Sequence, residues 1–148
     1  MFTNIGEFTN WIESQKRFSP KLSLDKMRSL CHIIGNPHHQ LKYIHIGGTN
    51  GKGSTLAFIK NILQKAGLNV GSFISPYVLQ FNERISYNNR FISDEELLHY
   101  GNKLISYYPQ IEQANLEKPT FFEFLTLLSF LYFADLPDLD IVIMEVGL

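Results

Sequence analysis

The sequence predicts an α/β protein in which helices flank a parallel sheet, and three observations support that fold class. A short apolar run at residues 43–46 leads into a glycine-rich loop and then into apolar residues at helical spacing. A second strand candidate at residues 70–74 follows, so the order strand, helix, strand predicts a right-handed parallel crossover. The continuous apolar run at residues 141–144 is typical of a parallel strand covered on both faces.

Composition fits one soluble globular domain or a piece of a larger one. Of 148 residues, 45% are hydrophobic and 18% are charged, and 13 basic against 14 acidic side chains give a net charge of −1. These values argue against disorder, and the dispersed Lys and Arg residues give no basis for nucleic-acid or membrane binding. The single cysteine, Cys31, and the absence of a signal-peptide pattern in residues 1–14 predict a cytoplasmic protein.

Helices are predicted on both sides of the strands. Apolar spacing near 3.6 residues predicts two helices within the first 35 residues, and Gly67 is expected to end the helix after the loop. Capping-box spacings predict that two later helices begin at Ser93 and Thr120. The first of these helices is predicted to continue with one apolar face as far as Ile111. Residues 121–136 are apolar but shorter than the roughly 20 residues of a membrane span, so we expect a buried helix. Asn88 and its neighbour are expected to turn a small hairpin.

A phosphate-binding loop of P-loop type is the sharpest signal in the sequence. Residues 47–55 read Gly-Gly-Thr-Asn-Gly-Lys-Gly-Ser-Thr between a strand and a helix, where backbone N–H groups can converge on an anion. Lys52 adds a mobile positive charge. Ile46 and Gly53 stand where the common Gly-x-x-x-x-Gly-Lys-Ser/Thr pattern has a glycine and a hydroxyl residue, so the loop is a variant. The alternative, a Gly/Asn-rich turn after an edge strand, is disfavoured by the strand–loop–helix context.

Two oxygen-bearing residues follow the predicted strands. Glu145 stands at the carboxyl end of the last strand, and Ser75 follows the second. Ligands in open parallel sheets bind outside these strand ends, where an acid can hold Mg²⁺. The alternatives are a solvated acid at a strand end and a common Ser-Pro turn.

Five motifs in order resemble the folylpolyglutamate synthase/dihydrofolate synthase family of the Mur-ligase superfamily. They are the loop at residues 48–54, Ser75-Pro76-Tyr77, Phe-Asn-Glu-Arg-Ile at residues 81–85, Phe122-Glu123 and Glu-Val-Gly-Leu at residues 145–148. The resemblance implies that residues 1–148 are the N-terminal portion of the ATP-binding, P-loop-type central domain. The rest of that domain and the C-terminal ligase domain are expected to be absent.

The resemblance implies an ATP-dependent ligase that adds L-glutamate to dihydropteroate or (tetrahydro)folate through an acyl phosphate. ATP and Mg²⁺ would be the cofactors, and pteroate or folate, L-glutamate and ATP the small-molecule substrates, with no nucleic-acid or membrane partner. Lys52 and Glu145 would be catalytic, and Ser75 and Glu145 would ligate magnesium. The phosphates would be held by Thr49, Asn50, Gly51, Lys52, Gly53 and Ser54. The full-length enzyme is expected to be a monomer.

For the pterin substrate, the resemblance implies contacts from Arg84 and from a run of four residues. These four are Phe121, Phe122, Glu123 and Phe124. Core packing at helical spacing is the alternative for the aromatic rings. Residues 23–26 read Ser-Leu-Asp-Lys where the family often has Gly-Leu-x-Arg, and Tyr77 replaces the family's usual histidine.

Other functions remain open at this point. Another Mur-type amide ligase, a nucleotide-binding switch or transport module, and a degenerate fragment without activity would share the same loop. None of the five histidines has ligand spacing with a cysteine or an acid, so we assign no metal site to them. The chain alone is expected to be inactive and aggregation-prone, because sheet edges and apolar surface would be exposed.

Overall fold

The computed structural model describes residues 1–16, 24–76 and 79–146. The helices are α1 (Ile5–Glu13), α2 (Leu24–Ile33), α3 (Lys52–Lys65), α4 (Asp94–Ile105), α5 (Tyr108–Gln113) and α6 (Phe121–Ala134). The strands are β1 (Tyr43–Ile46), β2 (Val70–Phe73), β3 (Ile85–Tyr87), β4 (Arg90–Phe91) and β5 (Ile141–Glu145). The chain divides into two compact units, a helical one formed by Met1–His39 with Asp94–Tyr132, and a sheet-containing one formed by Gln40–Ser93 with Phe133–Leu148.

The second unit contains one five-stranded sheet in the order β1-β5-β2-β3-β4. β5 pairs in parallel with both β1 and β2, so the strand that comes last in sequence lies between the first two. The predicted α/β class is therefore confirmed, with β1, β5 and β2 parallel in a sheet that is mixed as a whole. The turn at Asn88, which has a φ of 52°, joins β3 and β4 as predicted, and β3 adds this hairpin to β2 in antiparallel register.

Helix α3 packs on one face of this sheet. Its buried Leu56 lies in an apolar cluster with Ile46, Val70 and Ile143, and Ile59 and Leu63 pack against the same cluster. Gly67, with a φ of 87°, follows the end of α3 as expected. Gly71 lies one residue after Val70 and so belongs to the opposite face, where an added Cβ would come within 2.8 Å of the Phe133 ring.

The helical unit is built around a fully buried aromatic and aliphatic core. Phe8, Leu30, Leu104 and Phe124 have no exposed surface. A Cβ at Gly101 of α4 would lie 2.0 Å from Cζ of Phe8, so this glycine permits α1 and α4 to approach closely.

The expected single helix from Ser93 to Ile111 is wrong, because the chain forms two helices with a break between them. α4 ends at Ile105 and α5 begins at Tyr108, with Pro109 in its first turn. A proline inside a continuous helix lacks the N–H donor and its ring clashes with the carbonyl four residues earlier, here that of Ile105. The apolar face continues across the break, which explains why periodicity alone did not reveal it.

α6 is the buried helix that the sequence predicts. Its cap is reciprocal, since the Thr120 N–H donates to Glu123 Oε2 at 2.8 Å and the Glu123 N–H donates to Thr120 Oγ1 at 3.4 Å. Within the described ranges, no helix is long and apolar enough to cross a membrane.

Candidate functional site

The loop between β1 and α3 requires glycine at two positions. Gly48 has a φ of 144° and Gly51 a φ of 78°, in a region that residues with side chains rarely adopt. Gly51 is the N-cap residue of α3, and its carbonyl accepts the Thr55 N–H at 2.9 Å. The two glycines therefore turn the chain from β1 into the first turn of α3.

The amino end of α3 offers an open anion site. Gly51 has no side chain that could cap the first turn, and the loop residues Thr49, Asn50, Gly53 and Ser54 are exposed. The first N–H groups of a helix have no partner within the helix, and they carry the positive end of its dipole. Backbone donors and dipole together favour a bound phosphate at this position.

Lys52 brings its charge into the loop. Its half-buried side chain folds back, and Nζ donates a hydrogen bond to the Gly48 carbonyl at 2.8 Å. The ammonium group thus lies beside the backbone that turns around the proposed phosphate position.

Glu145 ends β5 and is 7% exposed. It is the parallel partner of Ile46, and Ile46 and Ile143 both belong to the cluster under α3. Because side chains alternate along a strand, Glu145 points to the same face as Ile143, which is the face that α3 covers. The Glu145 carboxylate and Lys52 are therefore on one side of the sheet.

The Glu145 carboxylate accepts no hydrogen bond from any side chain or backbone group in the part of the chain that the structure describes. Its oxygens are therefore available to bind a cation. Oxygen from a carboxylate is also the donor that Mg²⁺ prefers. Glu145 is therefore chemically suited to act as a magnesium ligand.

Ser75 lies at the same edge of the sheet. It follows β2, whose carboxyl end lies at the same edge as those of β1 and β5 because β5 is parallel to both β1 and β2. The preceding residue, Ile74, donates its N–H to the Arg84 carbonyl at 2.8 Å, which anchors this end of β2 to the next segment. Across the described residues there is no cluster of three His, Cys, Asp or Glu side chains that could hold a metal. A cation here would need hydroxyl and phosphate oxygens besides Glu145.

Tyr77, Gly147 and Leu148 of the sequence motifs lie outside the described residues.

Arg84 belongs to the sheet-containing unit and is 6% exposed. It ends a short 3₁₀ turn (Phe81–Arg84), and its guanidinium carbon lies 5.6 Å from the centroid of the Phe81 ring. This is within the range of a cation–π interaction.

The residues of the Phe-Phe-Glu-Phe run have different surroundings within the helical unit. Phe124 is fully buried, and its ring meets that of Trp11 edge to face at 5.4 Å. Phe121 is half-buried, whereas Phe122 is 37% exposed and is the most accessible ring of the run. Phe124 thus has the core role that was the alternative for these rings. Ligand contact by the run stays a prediction.

Glu123 is held by a salt bridge as well as by its cap. Lys26 Nζ lies 2.8 Å from Glu123 Oε2 and also donates to the Lys118 carbonyl at 3.2 Å. Burial opposes ionisation of Glu123, but hydrogen bonds from Lys26 and Thr120 and the charge of Lys26 outweigh it, so the pKa of Glu123 is lowered. The carboxylate is therefore ionised at neutral pH and ties the start of α6 to α2.

Comparison with known proteins gives a consistent set of relatives, although no family model matches the chain. The dihydrofolate synthase/folylpolyglutamate synthase of Bacillus subtilis is 43% identical over 148 residues, which cover 100% of this chain and 34% of that protein. A solved FPGS–AMPPCP–folate complex matches with a TM-score of 0.91 at 34% identity, covering 99% of this chain and 36% of that one. A bifunctional folylpolyglutamate synthase/dihydrofolate synthase with Mn, AMPPNP and L-glutamate bound has a TM-score of 0.82 at 30% identity, covering 99% of this chain and 34% of that one.

The chain is homologous to part of folylpolyglutamate synthase. It spans about a third of the length of the relatives it matches. The resemblance carried by the sequence motifs is thereby confirmed.

Two lysines that make specific contacts in the structure were not predicted from the sequence. Lys26 pairs with Glu123, and nothing in the local sequence indicated a partner 97 residues away. Lys60 of α3 donates to Ser86 beneath the helix. A signal for Lys60 was available, because it is four residues after Leu56 and three before Leu63, which places a charged residue on the sheet-facing side of the helix.

Proposed function

We propose that this chain binds ATP and Mg²⁺ as part of a ligase that adds L-glutamate to dihydropteroate or (tetrahydro)folate. The observation that carries the proposal is the pairing of two features at one edge of the sheet. The open loop with Lys52 suits a triphosphate, and the carboxylate of Glu145, which accepts no hydrogen bond from the described residues, suits its divalent counter-ion. Relatives named for this activity, and FPGS structures with AMPPCP or AMPPNP bound, support it.

The proposed reaction has two steps. A carboxylate oxygen of the folate substrate attacks the γ-phosphorus of ATP, the bond to ADP breaks, and an acyl phosphate forms. The amine of glutamate then attacks the acyl carbon, phosphate leaves, and the nitrogen loses a proton to give the amide. Charge neutralisation and positioning supply most of the catalysis in phosphoryl transfer.

Each residue of the site has a role in this scheme. Backbone N–H groups from Thr49 to Ser54 would hold the phosphates, and Lys52 would offset their charge. Ser75 and Glu145 would hold Mg²⁺, which when bound withdraws charge from the phosphate oxygens. The fit rests on the donor set, since a hydroxyl and a carboxylate are both oxygen ligands.

Contacts with the folate acceptor are proposed separately for Arg84 in the sheet-containing unit and for Phe121, Phe122 and Glu123 in the helical unit. Arg84 offers a buried positive charge suited to a carboxylate, and Phe122 offers an accessible ring for stacking on a flat heterocycle. Phe124 would support the run from the core, and the Lys26–Glu123 ion pair would orient Glu123.

Three further properties complete the proposal. The chain spans about a third of the length of its relatives. We therefore expect these 148 residues alone to bind nucleotide without ligase turnover. The complete enzyme is expected to be monomeric and cytoplasmic. Size-exclusion chromatography and cell fractionation of the complete gene product would test the last two.

The proposal is tested by calorimetry of the chain with Mg·AMPPCP. We expect Lys52→Ala to weaken binding at least about tenfold, because a charge-assisted contact to phosphate is lost. Lys65→Ala makes the same change at an exposed position at the other end of α3 and should bind like the parent.

Failure of the parent chain to bind Mg·AMPPCP would contradict the nucleotide-binding proposal. A turnover assay with ATP, L-glutamate and folate provides the second arm. Glutamylated product from the chain alone would overturn its predicted inactivity.

A further inference from the structure

Three hydrogen-bonded side chains cross the otherwise apolar contact between α3 and the sheet. Lys60 Nζ donates to Ser86 Oγ at 2.9 Å, and Ser86 Oγ lies 2.6 Å from Ser72 Oγ. Ser86 and Ser72 face each other across β3 and β2 and are 2% and 4% exposed. These hydrogen bonds therefore link the middle of α3 directly to β2 and β3.

This link is the one side-chain hydrogen bond from α3 to the sheet among the residues described. The other side-chain hydrogen bonds of α3 are local and connect Lys52 to Gly48, Thr55 to Gly51 and Asn61 to Ala57. The remaining contacts are aliphatic, and such contacts are non-directional. A hydrogen bond requires a defined distance and angle, so it fixes where α3 lies along the sheet.

Lys60 is not needed to satisfy the two serines. Their hydroxyl groups already lie within hydrogen-bond distance of each other. Burial lowers the pKa of Lys60, which reflects a cost of keeping its amine charged at this position. A residue that adds such a cost without satisfying an otherwise unmet group is better explained by the position it imposes than by stability.

The two elements that Lys60 connects carry the two halves of the candidate site. α3 begins with Lys52, two helical turns before Lys60, and β2 runs into Ser75, three residues after Ser72. A shift of α3 along the sheet would therefore change the separation between the phosphate loop and Ser75.

We propose that Lys60 is a positioning residue that, through Ser86 and Ser72, fixes the phosphate loop relative to the metal-ligating end of β2. The proposal rests on the proposed function, because it presumes that nucleotide and metal bind at this edge. Loss of the Lys60–Ser86 hydrogen bond should therefore affect one kind of binding and not the other. Phosphate binding by the loop alone is retained, whereas binding of the metal–nucleotide complex, which needs both halves, is weakened.

The test compares AMPPCP binding with and without Mg²⁺ by calorimetry. Lys60→Met keeps the aliphatic stem and removes the donor, and Lys65→Met makes the same change at an exposed position of the same helix. We expect Lys60→Met to bind Mg·AMPPCP about tenfold more weakly, since small misplacements of reacting groups are costly. Its affinity for metal-free AMPPCP should stay within about twofold, because the loop itself is intact.

A second variant guards against misfolding of the first. Ser86→Ala removes the acceptor while Lys60 stays, and it should show the same metal-specific loss with a cooperative melting transition. Equal weakening of both nucleotide forms, or no weakening of Mg·AMPPCP, would overturn the positioning role. If the parent chain fails to bind either form, the proposed function fails and this inference with it, which separates the two failures.

Discussion

Glu145 is a proposed metal ligand, and the proposal rests on its place in the sheet. It was predicted from its place at a strand end, and the structure adds that it is buried, faces the α3 side and accepts no hydrogen bond from the described residues. These surroundings leave the carboxylate oxygens available to a cation. The strand position could be predicted from sequence, whereas the burial depended on neighbours that come from three separate strands.

Glu145→Gln should raise the Mg²⁺ concentration needed for half-maximal AMPPCP binding by about tenfold, because the amide keeps one oxygen ligand but loses the charge. Calorimetric titration of Mg²⁺ at fixed nucleotide measures this. Asp138→Asn, at an exposed position of the same unit, is the matched control. Superimposable Mg²⁺ curves for Glu145→Gln and parent would remove Glu145 from the metal site.

Without ligand, the same substitution should leave the melting temperature unchanged or raise it. The reason is that the carboxylate accepts no hydrogen bond from the described residues, so the amide, which has a similar shape, removes no such contact. A fall in the melting temperature would indicate that the carboxylate has a stabilising partner within the protein.

At the scale of elements, the start of α6 combines a cap and an ion pair in one carboxylate. Glu123 accepts from the Thr120 N–H and from Lys26, and its pKa is lowered from the ordinary value of 4.5. A carboxylate whose pKa is lower in the folded state stabilises the fold fully above its unfolded pKa. That contribution is lost as the pH falls through the folded value.

Glu123→Gln should therefore lower the free energy of unfolding at pH 7 by about 1–2 kcal/mol, the range for loss of a helix cap. The difference from the parent should shrink as the pH falls below 4.5, because the unfolded state then takes up a proton, and it should vanish once the pH has passed the lowered pKa of the folded carboxylate. Urea unfolding at a series of pH values measures it. Glu95→Gln, in the first turn of α4, is exposed and should show little effect at any pH. If the difference in unfolding free energy between Glu123→Gln and the parent does not depend on pH, the charge of Glu123 has no part in stability.

Local signals predicted the elements better than their partners. The loop glycines, the Thr120 cap and the turn at Asn88 were predictable because each depends on a few neighbouring residues. The pairing of β3 with β2 and the salt bridge of Lys26 to Glu123 join distant segments, and no local pattern encodes them. The break before Tyr108 falls between these cases, because Pro109 signalled it while a continuous apolar face obscured it.

At the scale of the molecule, one face of α3 is apolar and exposed. Phe58 is 71% and Ile62 67% exposed, and they lie one helical turn apart. The sheet-facing residues of α3 are covered, so these two form a separate outer surface. Exposed apolar surface of this kind promotes association, in agreement with the expectation that the chain tends to aggregate.

Replacing Phe58 and Ile62 together by serine should reduce self-association without a large loss of thermal stability, because neither side chain is buried. Light scattering against concentration, together with a melting curve, measures both. Leu24→Ser is the control, since this residue is 73% exposed but lies on α2. Unchanged scattering in the double variant would mean that another surface drives association.

The position of β5 has a consequence for how the protein is made. β1 pairs with β5 and not with β2, and β5 is synthesised about a hundred residues after β1. While translation proceeds, β1 has no strand beside it for about a hundred codons. The nascent chain must therefore keep β1 from pairing wrongly until β5 has been made, which makes this segment a natural client for a chaperone at the exit tunnel.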